Sequence, residues 1–125
     1  MISSRIRVLV VLNWLNRGGI EMMMLRAIPH LATRGVSLEF CCLGGEGHLD
    51  EAFRDLGCQV HLFPRRAHWA RGRYEVAGLL MKNSYDVVHS QFGFTSGGII
   101  SIACEHRVPC IVSIHNTHGP GHRLE

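Results

Sequence analysis

The sequence predicts a Rossmann-like α/β fold, a three-layer α/β/α domain on a parallel sheet of order 3-2-1-4-5, as one unit over residues 1–125. Three observations predict it. Short runs rich in Val, Ile and Leu recur along the chain, as in strands buried on both faces of a parallel sheet. Segments with apolar residues at helical spacing separate those runs. The connections are short, and right-handed crossovers between parallel strands then give that order.

Ile6 to Leu12, almost unbroken in apolar character, is the first strand. Ile20 to Thr33 reads as a helix, with Ile20, Met23, Met24, Ala27, Ile28 and Leu31 at the helical period. Pro29 should kink it or cost it a hydrogen bond, and Gly35 should stop it. The methionines Met22 to Met24 read as packing groups rather than a binding box. Val36 to Leu43 is the second strand, and Gly44-Gly45-Glu46-Gly47 is most simply a flexible turn. A short helix follows, with Leu49, Ala52, Phe53 and Leu56 on one face and Gly57 as its stop. Gln59 to Phe63 is the third strand, Pro64 to Arg73 a basic loop, and Tyr74 to Lys82 a helix. Asp86 to His89 is the fourth strand. Thr95 or Ser96 is placed to cap a helix that ends near Glu105, and Pro109 introduces a fifth strand, Cys110 to Ile114.

Composition narrows the function classes. Hydrophobic residues make up 46% of the chain and charged ones 18%, which supports one packed core and argues against disorder. A net charge of +3 without a basic stripe does not point to nucleic acid. The five cysteines include no C-x-x-C pair, so they carry no metal or redox signature. Their apolar neighbours suggest reduced, buried thiols and a cytoplasmic setting. The first residues are too polar for a signal peptide, and no run approaches the roughly 20 apolar residues of a membrane span.

In open parallel sheets, ligands bind beyond the carboxyl ends of the strands. That rule selects residues 13–19, 44–48, 90–98 and 115–121, where polar residues and glycines concentrate. The first segment runs Asn13-Trp14-Leu15-Asn16-Arg17-Gly18-Gly19-Ile20-Glu21. It lacks the G-x-G-x-x-G spacing and the P-loop Lys-Ser/Thr, which disfavours an ordinary NAD or ATP site. Two readings of Gly18-Gly19 stand side by side. One is a tight turn that needs positive φ; the other is a helix start whose free N–H groups attract an anion.

Gly-Gly-x-Glu at the start of the first helix resembles the N-terminal domains of family 4 glycosyltransferases of the GT-B fold. Further segments are similar in the same order: Arg34-Gly35, Leu56-Gly57-Cys58-Gln59-Val60, Tyr85-Asp86-Val87-Val88-His89, and Val108-Pro109-Cys110 through to His115. The resemblance implies the acceptor-side domain of a retaining, metal-independent enzyme. Such an enzyme moves a sugar from a nucleotide-sugar donor to an acceptor hydroxyl. It implies a glycan or lipid-linked acceptor, a C-terminal donor domain as partner, and contact with the inner face of a membrane. It also places Gly18 and Gly19 by the donor diphosphate and His115 beside the transferred sugar, where imidazole can hydrogen-bond or carry charge. His89, Asn13 and Asn116 are candidates for the same cleft, with His89 reading equally as a strand end. The chain ends soon after strand five and contains no Glu-x7-Glu donor signature, so alone it is expected to have little activity.

Arg65, Arg66, Trp69 and Arg71 combine charge suited to phosphate with an aromatic suited to a sugar or membrane interface, and the resemblance puts them on the acceptor side. They read equally as a solvated loop. His115, His118 and His122 invite a metal reading, but without H-E-x-x-H or a carboxylate partner that reading is disfavoured. No metal or cofactor is expected. Two alternatives remain: a stand-alone module binding a phosphorylated small molecule, and a protein-interaction domain whose last strand pairs with another chain.

Overall fold

A computed structural model of the chain describes residues 5–63 and 71–115. Its elements are β1 (Ile6–Leu12), α1 (Gly19–Ala32), β2 (Val36–Cys42), α2 (Asp50–Asp55), β3 (Val60–Leu62), α3 (Arg71–Lys82), β4 (Val87–Ser90), a 3-10 turn (Gly93–Thr95), α4 (Gly97–Glu105) and β5 (Cys110–Val112). The five strands form one sheet of order β3-β2-β1-β4-β5, and every neighbouring pair is parallel. Fold class and strand order are those the sequence predicts.

Strand alternation divides the apolar residues between two cores. On one face Leu9, Val11, Cys41 and Val88 meet Val76, Leu79 and Leu80 of α3 and Ile99, Ile102 and Ala103 of α4. On the other, Val10, Leu12, Phe40 and Cys42 meet Met24 and Ile28 of α1 and Phe53 of α2. Phe40 and Phe53 pack edge to face with centroids 4.8 Å apart, a geometry that adds about 1 kcal/mol beyond area burial. The second core sits over β1, β2 and β3. His89 and Ile111 are register partners on the same face as Val10, and there Ile111 is 54% exposed.

Several boundaries differ from expectation for identifiable reasons. α1 runs through Pro29 to Ala32; the proline lies in the last turn, so the helix forfeits its N–H and still closes, with Thr33 N–H donating to the Pro29 carbonyl. Gly35, at φ +80°, then turns the chain into β2. β5 pairs only through Val112 because its neighbour β4 ends at Ser90, although Ser113 N–H still donates to the Ser90 carbonyl at 3.0 Å. Ser96 stands at the start of α4 without capping it. Its hydroxyl bonds that of buried Ser90 at 2.7 Å, and Thr95 turns its own to the Phe92 carbonyl. α3 begins at Arg71, three residues before the predicted start.

The glycine-rich segment before α2 is clamped rather than loose. Gly44 N–H donates to the Asn13 carbonyl at 2.6 Å, His48 N–H to Asn16 Oδ1 at 2.9 Å and Leu49 N–H to the Leu15 carbonyl at 2.8 Å. The thiols also divide: Cys41, Cys42 and Cys58 are buried as expected, whereas Cys104 is exposed and Cys110 half-buried. Burial pushes the Cys42 thiol up to about 12, which leaves it inert. Of the three methionines Met24 is buried, while Met23 is 58% exposed.

Candidate active site

Because all strands are parallel, the loops after β1, β2, β4 and β5 gather at one margin of the sheet. α1 starts there. Gly18 is its N-cap, at φ −152° and ψ 171°, with no side chain capping the helix, and the first helical bond runs from Met22 N–H to the Gly18 carbonyl. Neither Gly18 nor Gly19 has positive φ, so the turn reading of this pair is overturned. A Cβ on Gly19 would meet nothing within 4 Å, and one on Gly18 would meet the Glu21 carboxylate, a movable group. The fold does not demand glycine at either place. At Gly19 the missing side chain lets a ligand come close to the backbone N–H groups of the helix start, while the Glu21 carboxylate lies on the Gly18 side.

Four side chains cluster on the β4–β5 part of the margin. In a strand, residues two apart share a face, so His89 and Gln91 at the end of β4, and Ser113 and His115 beyond β5, fall on one side. They are joined. His89 Nε2 lies 2.5 Å from Ser113 Oγ and 3.5 Å from Gln91 Nε2, and His115 Nε2 lies 2.5 Å from Gln91 Oε1. His89 is half-buried and His115 exposed. Burial, and then the charge of His115, hold the His89 imidazole below the ordinary histidine range. Phe94, on the 3-10 turn that follows β4, is 82% exposed, a bare aromatic face next to these groups in the chain.

The sequence-predicted residues thus separate. His89 and His115 come together. Gly18 and Gly19 open the helix on the same margin. Asn13 is exposed, with its side chain against Gly44 on the β1–β2 part of that margin. Arg65, Arg66, Trp69 and Asn116 lie outside the described residues, as do His118 and His122; Arg71 is the first residue of α3. Gln91 and Ser113 are the residues that sequence reading missed. Their signal was the spacing His-x-Gln against Ser-x-His at the ends of adjacent strands.

Two other features lie apart from the margin. A cavity of about 470 Å³, lined by Ile28, Thr33, Val36, Leu38 and Leu56 among others, opens where β2 begins. On the α3–α4 face, Glu39 accepts hydrogen bonds from Arg7, from His61 at 3.1 Å and from Tyr85 at 3.0 Å, and the Arg7 guanidinium stacks 4.8 Å from the Tyr85 ring. Among the described residues no three His, Cys, Asp or Glu side chains gather as metal ligands, and no helix is long and apolar enough to cross a membrane.

The comparison that decides the family is the match of residues 18–125 to the model of the glycosyl transferase 4-like domain. The chain belongs to that family. The match spans the Gly-Gly start of α1 and both histidines, and it bears out the resemblance read from the sequence. Solved structures of the same fold include a glycosyltransferase from Rickettsia africae, 13% identical with TM-score 0.66, where the match covers 91% of this chain and 32% of that one. MurG of Acinetobacter baumannii is 12% identical with TM-score 0.63, covering 95% of this chain and 39% of that one. The C-terminal domain of a hydrogenase from Pyrococcus furiosus, 12% identical with TM-score 0.65, is matched over 91% of this chain and 95% of its own. The chain therefore spans under half the length of the two transferases. Comparison with curated proteins finds no significant match.

Proposed function

We propose that this domain is the acceptor-side half of a retaining, metal-independent glycosyltransferase, which moves a sugar from a nucleotide-sugar donor to an acceptor hydroxyl. The observation that carries the reading is the hydrogen-bonded His89–Gln91–His115 group on the margin where α1 starts without a side-chain cap, in a chain of the glycosyl transferase 4-like family. Departure of a nucleoside diphosphate builds negative charge on phosphate oxygens. N–H donors already aimed at that place need no reorganisation when the charge appears. Gly18 and Gly19 let the phosphate approach those donors, and His115 meets the transferred sugar with a hydrogen bond or a positive charge. Phe94 offers a sugar ring an apolar face to rest on.

The nucleotide itself is held by a second domain, which is why the first turn needs no dinucleotide or P-loop fingerprint. The domain alone is inactive on this reading. Acceptors are glycans or lipid-linked glycans reached from the cytoplasm at the inner face of a membrane, with Arg65, Arg66, Trp69 and Arg71 on that side and Asn116 and Asn13 by the donor. The test is sugar transfer by the intact polypeptide against a panel of nucleotide sugars. His115→Ala should lower kcat about 100-fold, the scale of one lost charge-stabilising donor. An intact protein that neither hydrolyses nor transfers from any donor, or a His115→Ala variant with unchanged kcat, sinks the assignment.

A further inference from the structure

The hydrogens of the four-residue group follow by elimination. The carbonyl oxygen of the Gln91 amide only accepts, so His115 Nε2, 2.5 Å from it, carries a hydrogen. The amide nitrogen only donates, so His89 Nε2, 3.5 Å from it, presents a lone pair. Ser113, 2.5 Å from the same lone pair, is then the stronger donor to it. Neutral His89 therefore keeps its hydrogen on Nδ1, and neutral His115 keeps its own on Nε2. A proton added to His89 Nε2 would make the Ser113 hydroxyl turn from donor to acceptor and would face the Gln91 amide hydrogens at 3.5 Å. A proton added to His115 enters at Nδ1, which has no hydrogen-bond partner among the described residues.

We propose that Gln91 is a positioning residue that makes the two histidines unequal: it fixes the Nε2–H form of His115 and keeps His89 neutral, with its hydrogen on Nδ1. Burial of His89 acts in the same direction. Among the described residues no other ionisable group bears on His89, since β1 sets Val10 beside it, β5 sets Ile111, and His115 is its titrating neighbour. The exposed histidine thus keeps its Nδ1 lone pair free to accept a hydrogen bond from a hydroxylated ligand. That consequence for catalysis rests on the transferase reading; the tautomers do not.

Nitrogen-15 NMR of the histidine rings in this chain, titrated from about pH 5 to 8, reads tautomer and charge directly. The expected wild-type result is Nε2–H on neutral His115 and Nδ1–H on neutral His89. Gln91→Glu replaces the amide donor facing His89 by a carboxylate acceptor and should shift neutral His89 toward its Nε2–H form. Gln91→Leu should leave His115 as a mixture of tautomers, and Ser113→Ala should let His89 protonate at higher pH. His115 in the same single tautomer in Gln91→Leu, or Nε2–H on neutral His89 in the wild type, overturns the proposal. Transfer by the intact polypeptide reads the other half: NMR as expected, together with a fully active His115→Ala, keeps the positioning role and removes only the part proposed for His115 in transfer.

Discussion

Gly47 has no side chain because there is no room for one: a Cβ there would lie 2.5–2.7 Å from the backbone oxygen, carbon and nitrogen of Leu15. Backbone cannot step aside as a side-chain tip can. Gly19 is the opposite case, with open space around the missing Cβ and an ordinary helical start. The two glycines therefore answer differently to the same substitution. Gly47→Ala should cost about 2–3 kcal/mol, the range of overpacking in a closed site. Gly19→Ala should change stability by under about 0.5 kcal/mol, because alanine favours the helix and meets nothing. Urea unfolding of the two variants beside the parent checks the pair. A large loss from Gly19→Ala would mean that fold, rather than access to the helix start, requires that glycine.

At the scale of elements, β1, β2, β3 and the segment before β4 are tied across the α3–α4 face by Glu39, which is buried yet charged. Burial pushes its carboxyl up, but hydrogen bonds from Arg7, His61 and Tyr85 together hold it below the ordinary carboxylate value of 4.5. A carboxyl so lowered adds stability above its unfolded pKa and loses it as pH falls through the folded one. Unfolding free energy should therefore drop as pH falls below about 4.5. Glu39→Gln should cost about 2 kcal/mol near neutrality, by leaving Arg7 without its charge partner, and should flatten that acid limb. Equal acid sensitivity in parent and variant would refute it. None of this was legible in the sequence, where Glu39 is one polar residue in an apolar run. β1 and β2 were legible because their second halves are buried on both faces and are apolar throughout, Leu9 to Leu12 and Phe40 to Cys42. The length of β5 was not, since it is set by where β4 stops. His89 and His115 were legible as strand ends, but Gln91 and Ser113 acquire meaning only when β4 and β5 are known to be neighbours. The extended backbone at Gly18 was hidden for a similar reason, because two glycines suit an extended entry to a helix as well as a tight turn.

In the whole molecule the site spans strands of unequal anchorage. β1 is central, paired over seven residues with β2 and over four with β4, and Leu9, Val10 and Val11 are all but fully buried. β5 is an edge of three residues paired with β4 alone, with Ile111 half exposed. Gly18 and Gly19 thus hang from the most firmly held strand, whereas Ser113 and His115 hang from one of the least. Local opening needs only the free energy of the contacts it breaks, so an edge strand exchanges its amide hydrogens well before the centre does. The Leu9 to Val11 amides should exchange only through global unfolding, and those of β5 roughly 100-fold faster or more. The Gln91–His115 and Ser113–His89 hydrogen bonds are the side-chain ties from the end of β5 back to β4. Gln91→Leu should accordingly speed exchange at Val112 and Ser113 while leaving β1 unchanged, as hydrogen-exchange mass spectrometry resolves. Uniform acceleration across the sheet would instead mean that Gln91 supports the fold as a whole, and equal protection of β1 and β5 would remove the inequality itself.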